Sequence, residues 1–253
     1  MFFYLYDAVV LDKKYATLLD RIESRVIELG INGRIERLTP LRNIKELIDR
    51  GIKNGAHTIV VLGTDQTFLR ALQVTAQYDV AVGFLPFGSS ALGPLFGVSD
   101  PMDGCNALSR RITKQLALGK ANQTYFLTEV TAELPRGTKI TCDGQWSITT
   151  QTDTTTLALG NIGHILGGGI ETPTIYDTHQ LHLLLQPHSQ PTGFLRKQVQ
   201  NHATSVRVNK VTVEHPDVTV PILLDQTTVL KTPVSFSLKA KAIKVIVGKQ
   251  RLL

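Results

Sequence analysis

Apolar and polar positions follow one another along the first half of the chain in blocks that predict strands and helices in turn. Short β-branched apolar runs predict strands, whereas apolar positions three or four residues apart predict amphipathic helices. The predicted strands here are 2–11, 34–38, 58–62 and 80–85, and the predicted helices are 14–29, 43–54, 67–76 and 101–118. Such alternation is typical of a mostly parallel sheet that helices cover on both faces.

Beyond about Gly119 the pattern changes to short, alternating runs rich in Thr and Val, separated by turn sequences such as Asp143-Gly144. The predicted strands here are 125–133, 139–142, 147–150, 155–159, 181–186, 203–214, 220–224, 234–238 and 242–247. Only Thr192–Gln200 has the pattern of a short helix. The sequence therefore predicts an α/β N-terminal domain with a mostly parallel sheet, 1–119, and a β-rich antiparallel, sandwich-like C-terminal domain, 120–253.

The composition of the chain says more about which partners it could bind than about which fold it adopts. The 253 residues carry a net charge of +6, which suits anionic ligands such as nucleotides or an anionic membrane surface. The basic residues are scattered without interleaved aromatic residues, so a nucleic-acid partner is not predicted. Cys105 and Cys142 form no CxxC pair, which argues against a zinc site and favours a cytoplasmic location. Neither a signal peptide nor a membrane span is predicted, and the oligomeric state is not indicated.

The first candidate site follows the buried strand that ends at Leu62. The residues Gly63-Thr64-Asp65-Gln66-Thr67 lead from this strand into a helix, where backbone N–H groups are able to bind an anion. Asp65 is acidic beside that position, which a metal ion, a basic neighbour or a role in proton transfer would explain. The simpler interpretation of this loop alone is that Thr64 or Asp65 caps the helix.

A second loop of the same kind follows the next predicted strand. Gly88, Ser89 and Ser90 follow it after two intervening residues, and such small residues suit an anion-binding turn. An ordinary surface loop with serine turns is the alternative. Since carboxyl ends of parallel strands meet at one edge of the sheet, both loops are expected to lie together and to bind one phosphate-bearing ligand.

Taken in order, these segments resemble the diacylglycerol kinase catalytic-domain family, which includes bacterial lipid kinases and sphingosine kinases and is distantly related to NAD kinases. The resemblance covers nearly the whole chain. The family's GGDGT motif corresponds to Gly63–Thr67, and its GTGN stretch to Gly88–Ala91. The later segments that resemble the family are Asn161, Gly167–Gly169, Pro173 and Asp177-Thr178, and then Asp225-Gln226-Thr227 where the family has DGE.

The resemblance implies ATP and Mg²⁺ as cofactors. It implies that Thr39 contacts the nucleotide, that Gly63–Thr67 and Gly88–Ser90 bind its phosphates, and that Asp177 helps to bind a structural magnesium ion. The glutamate that serves the family as general base corresponds to Thr227, which cannot accept a proton at neutral pH as a carboxylate does. Since that glutamate is missing, Asp65 is expected either to organise magnesium or to act as the catalytic base.

Three functional hypotheses remain open from the sequence. The first is ATP-dependent phosphoryl transfer to a lipid hydroxyl, such as that of diacylglycerol, by a protein that contacts the membrane surface peripherally. The second is a relative that binds a nucleotide or a lipid but has lost kinase activity, because several motif residues differ from the family pattern. The third is an NAD kinase-like enzyme, which the lipid-kinase match of the C-terminal half argues against.

Overall fold

The computed structural model describes residues 1–39, 42–162, 180–188 and 203–252. The chain divides into two compact units: Met1–Leu116 together with Lys241–Leu253, and Ala117–Ala240. The sequence predicts a domain boundary between residues 119 and 120 and does not predict that the C-terminal segment belongs to the first unit. The predicted short helix at 192–200 lies outside the described residues.

The described residues form helices and strands with the following bounds. The helices are α1 (Ala16–Glu28), α2 (Ile44–Lys53), α3 (Asp65–Thr75), α4 (Leu92–Phe96) and α5 (Pro101–Arg110). The strands are β1 (Phe2–Tyr6), β2 (Gly33–Arg37), β3 (Thr58–Gly63), β4 (Ala81–Pro86), β5 (Thr113–Ala121), β6 (Thr124–Phe126), β7 (Glu129–Pro135), β8 (Lys139–Cys142), β9 (Trp146–Thr149), β10 (Thr154–Gly160), β11 (Leu181–His188), β12 (Thr204–Val208), β13 (Lys210–Glu214), β14 (Pro221–Leu224), β15 (Thr228–Lys231) and β16 (Val234–Ile246).

The first unit is built on a parallel sheet with the strand order β2-β1-β3-β4, to which the end of β16 adds beside β4. Every neighbouring pair in this series is parallel, as the alternation of strands and helices predicted. All residues of β1 are buried, and Gly51 of α2 lies so close to Phe3 that a methyl group there would be 2.8 Å from the ring. The helix therefore packs tightly on the central strands.

The second unit is an antiparallel sandwich. One sheet has the order β12-β11-β10-β7-β14-β15, and the other runs through β13, β8 and β9 beside the first part of β16. Alternate residues of both sheets point inwards and form one apolar core, which includes Leu134, Leu157, Val211 and Phe236. This arrangement confirms the predicted antiparallel, β-rich class of the C-terminal half.

Two predicted elements end earlier in the structure than in the sequence analysis. The strand predicted at 2–11 ends at Tyr6, because Asp7 begins a 3₁₀ turn by accepting a hydrogen bond from the Val9 N–H group. The helix predicted at 101–118 ends at Arg110, and the left-handed Arg111 (φ 54°) closes it before β5 begins. Both differences have the same origin, a capping residue inside an apolar pattern.

The turn between β14 and β15 contains two consecutive residues with left-handed backbone, Asp225 (φ 47°) and Gln226 (φ 54°). Since a side chain at such a φ costs roughly 1–2 kcal/mol and glycine avoids that cost, Gln226→Gly is expected to stabilise the protein by about 0.5–1 kcal/mol. Urea unfolding of the full chain measures the change in the free energy of unfolding.

The matched control is Gln226→Ala, which keeps the β-carbon and should leave the stability near that of the wild type. A Gln226→Gly variant no more stable than Gln226→Ala would show that the backbone at this turn is not strained.

Candidate functional site

The candidate site lies at the carboxyl edge of the parallel sheet in the first unit. The chain passes from β1 outwards to β2, then returns to β3 on the other side of β1 and continues to β4. The direction of the strand order thus changes between β1 and β3. In open α/β sheets, ligands bind at the carboxyl ends of the strands at such a switch point.

The Gly63–Thr67 loop begins helix α3 at this edge. Thr64 has extended backbone and caps the helix, since its hydroxyl oxygen accepts a hydrogen bond from the Thr67 N–H group at 3.4 Å. Thr67 is 8% exposed, whereas Gln66 points into solvent. The helix cap that the sequence offered as the simpler interpretation is therefore present, and Thr64 provides it.

Asp7 is the functional candidate that the sequence analysis missed. It follows β1 directly and lies against the Gly63–Thr67 loop, where the Thr67 hydroxyl donates to Asp7 Oδ2 and the Thr64 hydroxyl donates to the same oxygen at 3.4 Å. A β-carbon on Gly63 would lie 2.7 Å from the β-carbon of Asp7, so glycine is needed for this close approach. The signal in the sequence was an aspartate that interrupts the first apolar run.

The two predicted loops meet through Asp65. The Ser90 hydroxyl donates to Asp65 Oδ1 at 2.5 Å, and the N–H groups of Ala91 and Leu92 donate to Oδ2 at 2.8 and 3.2 Å. The Ser90 oxygen also accepts from the Gly93 N–H group at 2.8 Å. Asp65 thus caps the start of α4 across the two loops, while its neighbour Thr64 caps α3.

The contact has two consequences for ligand binding. It brings together residues of both predicted loops, as the hypothesis of one shared site requires. It also means that a carboxylate of the protein already occupies the N–H groups of Ala91 and Leu92. The rest of the second loop is open: Gly88 and Ser89 are exposed, and the positive φ of Gly88 (82°) turns the chain.

Thr39 lies in the segment after β2, where the N–H group of the preceding Leu38 donates to the Tyr6 oxygen at the end of β1 at 2.8 Å. It is exposed and lines a depression of about 580 Å³ together with Glu23, Glu36 and Arg42, among others. Glu36 accepts hydrogen bonds from Arg34 and Arg42 at 2.7 and 3.0 Å, so the depression is polar and charged. Asp177 lies outside the described residues.

In the second unit, the turn that corresponds to the family's DGE segment is anchored by Asp225. Its carboxylate accepts hydrogen bonds from the N–H groups of Leu127, Thr128 and Glu129 at 2.7, 2.8 and 3.2 Å, and from the Thr128 hydroxyl at 2.7 Å. Burial raises the pKa of Asp225, and these hydrogen bonds oppose that rise. Thr227, two residues on, is only partly buried.

The side chains at the carboxyl edge of the parallel sheet are of the types that bind magnesium. Asp7, Asp65, Thr64 and Thr67 offer carboxylate and hydroxyl oxygens, which are the ligands that Mg²⁺ takes in proteins. Among the described residues, no group of three or more His, Cys, Asp or Glu side chains is arranged to bind a metal ion. A magnesium ion here would therefore need ligand oxygens from a phosphate or from water as well.

The described part of the chain contains no helix long and apolar enough to cross a lipid bilayer.

The fold class of the protein is an α/β unit with a parallel sheet, which carries the candidate site at its switch point, together with a unit that is an antiparallel sandwich. No family model and no curated protein matches the chain in sequence. A crystal structure of a diacylglycerol kinase from Bacillus anthracis strain Sterne is 15% identical, with 98% of this chain and 97% of that chain covered, at a TM-score of 0.76. Two structures from the same strain, provisionally assigned as diacylglycerol kinases, are 15% and 16% identical over the same shares, at TM-scores of 0.78 and 0.77.

At these identities the likeness concerns the fold. The chain has a diacylglycerol kinase-like fold along nearly its full length, which confirms the resemblance and the fold class that the sequence predicted.

Proposed function

We propose that the protein is an ATP-dependent lipid kinase that transfers a phosphoryl group to a lipid hydroxyl such as that of diacylglycerol. The observation that carries the proposal is the Asp65–Ser90 contact, which joins the two predicted phosphate loops beside the β1/β3 switch point. The diacylglycerol kinase-like fold supports it. The net charge of +6 supports peripheral contact with an anionic membrane, and we propose that the protein makes this contact from the cytoplasm.

In this proposal the first unit binds the nucleotide. The N–H groups at the start of α3 and the open turn of Gly88–Ser90 contact its phosphates, because helix starts and glycine turns present donors to anions. Thr39 contacts another part of the nucleotide. By resemblance, Asp177 would help to hold a structural magnesium ion. Asp65 would either organise the Mg²⁺ of the nucleotide or act as the base, and Mg²⁺, when bound, would neutralise the phosphate charge during transfer.

Phosphoryl transfer depends mostly on positioning and charge stabilisation, so the fold is able to support it without an ideal base. The absence of a positioned general base costs roughly 10²–10⁴-fold in rate. Since Thr227 replaces the family's glutamate, Asp65 is the proposed base, and turnover is expected to be slow.

A second candidate is a non-catalytic relative that binds a nucleotide or a lipid. The specific observation in its favour is that Asp65 accepts three hydrogen bonds from the chain itself. An ionised carboxylate has about four acceptor positions, so these three hydrogen bonds leave about one for a proton from a substrate hydroxyl. In this alternative the loops still bind a ligand, and Asp65 serves only to cap α4.

Calorimetry with ATP and Mg²⁺, combined with turnover on mixed lipid vesicles, tests the proposal on the full chain. Wild-type protein is expected to bind ATP–Mg²⁺ and to form phosphorylated lipid slowly. Binding without turnover would favour the non-catalytic candidate, and no nucleotide binding would reject both the kinase proposal and a nucleotide-binding role.

Variants of Asp65 separate its two roles. Asp65→Asn keeps an oxygen that accepts hydrogen bonds at the start of α4, so it should cost less stability than Asp65→Ala, for which a lost cap implies about 1–2 kcal/mol. If Asp65 is the base, both variants lose turnover by roughly 10²-fold or more. Asp65→Asn with wild-type turnover would remove Asp65 from the chemistry and leave it as a cap.

A further inference from the structure

A second depression in the first unit, of about 400 Å³, lies between helix α5 and the C-terminal segment that follows β16. None of the described residues that line it belongs to the Gly63–Thr67 or Gly88–Ser90 loop. We propose that this depression is a separate binding site, which takes a small ligand with a phosphate monoester group and a hydroxyl group. The inference goes beyond the proposed kinase function and does not depend on it.

One wall of the depression is the C-terminal segment, which backbone contacts hold against the end of α4. The Gly248 N–H group donates to the Phe96 oxygen at 2.7 Å, and a β-carbon on Gly248 would lie 1.9 Å from the Gly97 oxygen. A β-carbon on Gly97 would lie 2.6 Å from the Arg251 nitrogen. Two glycines therefore let the segments approach closely, and the wall is a built part of the fold.

The opposite wall is one face of α5. Asp103, Asn106 and Arg110 all line the depression, and their spacing of three and four residues places them on the same side of the helix. Since a helix rises 1.5 Å per residue, Asp103 and Arg110 are separated by about 10 Å along its axis. The depression thus has an acidic end and a basic end.

The positive charge of the depression comes from Arg110 and Lys249, which are both exposed. Within the described part of the chain, neither side chain forms an ion pair or a hydrogen bond with another residue. A phosphate monoester carries a charge of about −1.5 to −2 at neutral pH, which two cations match better than they match a single carboxylate. The arginine guanidinium also fits two phosphate oxygens at once.

The remaining polar groups indicate a hydroxyl group on the same ligand. Asn106 Oδ1 accepts a hydrogen bond from Arg25 Nη2 at 2.9 Å, so its amide nitrogen is left as a donor, and no acceptor for it occurs among the described residues. The Asp103 carboxylate, at the acidic end, accepts hydrogen bonds and repels a second anionic group. A phosphate ester of a polyol therefore fits the lining better than a dianion without hydroxyl groups.

Calorimetry of the full chain with glycerol 3-phosphate tests the site without any dependence on turnover. Wild-type protein is expected to bind this probe, and Arg110→Gln and Lys249→Gln should each lower the affinity by about 10-fold or more, because each removes a charged donor. Both side chains are exposed, so the variants are expected to remain folded, which thermal unfolding checks.

Lys244→Gln is the matched control, since it removes the same charge from the same unit. The Lys244 amine is already paired with Asp79 at 2.7 Å and does not line the depression. This variant should keep the wild-type affinity for glycerol 3-phosphate. An equal loss in all three variants would mean that only net charge attracts the probe, and would overturn the site.

A phosphate monoester also occurs as a lipid headgroup, and a vesicle experiment distinguishes the two sources. Co-sedimentation compares phosphatidylcholine vesicles that contain phosphatidic acid with vesicles that contain phosphatidylglycerol, a diester, at equal negative charge. A preference for phosphatidic acid that Arg110→Gln and Lys249→Gln abolish would assign the site to a headgroup. Binding of glycerol 3-phosphate without that preference would assign it to a soluble ester, and binding of neither would overturn the inference.

ATP–Mg²⁺ affinity, measured in the same variants, separates this inference from the proposed function. Arg110→Gln and Lys249→Gln should leave it unchanged. A parallel loss of ATP and glycerol 3-phosphate affinity would show one shared site and overturn the inference of a second one. Failure of the wild type to bind ATP, with glycerol 3-phosphate still bound through Arg110 and Lys249, would reject the nucleotide site alone.

Discussion

A Thr227→Glu variant is expected to form phosphorylated diacylglycerol faster than the wild type, by up to roughly 10²–10⁴-fold, because a positioned general base would add to the slow chemistry that the hydrogen-bonded Asp65 supports. The resemblance assigns position 227 to the family's catalytic glutamate. A longer side chain is tolerated there, since Thr227 ends a hairpin turn and is only partly buried. The measurement is the amount of phosphorylated lipid formed per minute from ATP, Mg²⁺ and mixed vesicles.

Thr227→Gln is the matched control, because glutamine has the same length as glutamate and does not accept a proton at neutral pH. It should leave the rate at the wild-type value. Equal rates for the Glu and Gln variants would reject position 227 as the place of a missing base. ATP binding without turnover in all three proteins would support the non-catalytic candidate.

Much of the fold could be predicted from hydrophobic periodicity. The alternation in the first half specified a parallel sheet, since short apolar runs between amphipathic helices have few other ways to bury their surfaces. Element ends were less predictable. The apolar residues after Asp7 read as a continuation of β1, and nothing in the local pattern showed that the aspartate side chain would cap a 3₁₀ turn.

The candidate site could be predicted in part. The neighbouring positions of the Gly63–Thr67 and Gly88–Ser90 loops followed from the rule that parallel strands end at one edge, and the Asp65–Ser90 contact agrees with it. The sequence offered Thr64 as a cap of its own helix, but that Asp65 caps the next helix could not be predicted, because this second cap depends on the distance between two loops. Asp7 was missed because its contact with the Gly63–Thr67 loop also joins two segments that are far apart in the sequence.

Asp65 and Asp225 show one physical pattern in separate units of the chain. Each carboxylate accepts backbone N–H groups from a segment distant in sequence and ties a turn to it. They differ in burial: Asp65 is partly exposed, whereas Asp225 is 2% exposed. Water replaces lost partners at an exposed site but not at a buried one, so substitutions at Asp225 should cost more stability.

An Asp225→Ala variant is expected to lose roughly 3–5 kcal/mol of the free energy of unfolding, because four donors in a buried site lose their acceptor. The residue also has left-handed backbone, which aspartate and asparagine tolerate better than alanine. Asp225→Asn retains an acceptor oxygen and should cost less. Urea unfolding of the full chain, followed by circular dichroism, measures both changes.

Asp153→Ala, in the same unit, provides the control. Its side chain is 85% exposed and paired with Arg136 at 3.3 Å, so its removal should change stability by about 0.5 kcal/mol or less. A loss at Asp225 as small as that at Asp153 would mean that the turn from Asp225 to Thr227 is not tied to the segment from Leu127 to Glu129. The backbone position of residue 227 would then be too loose for a glutamate introduced there to act as a base.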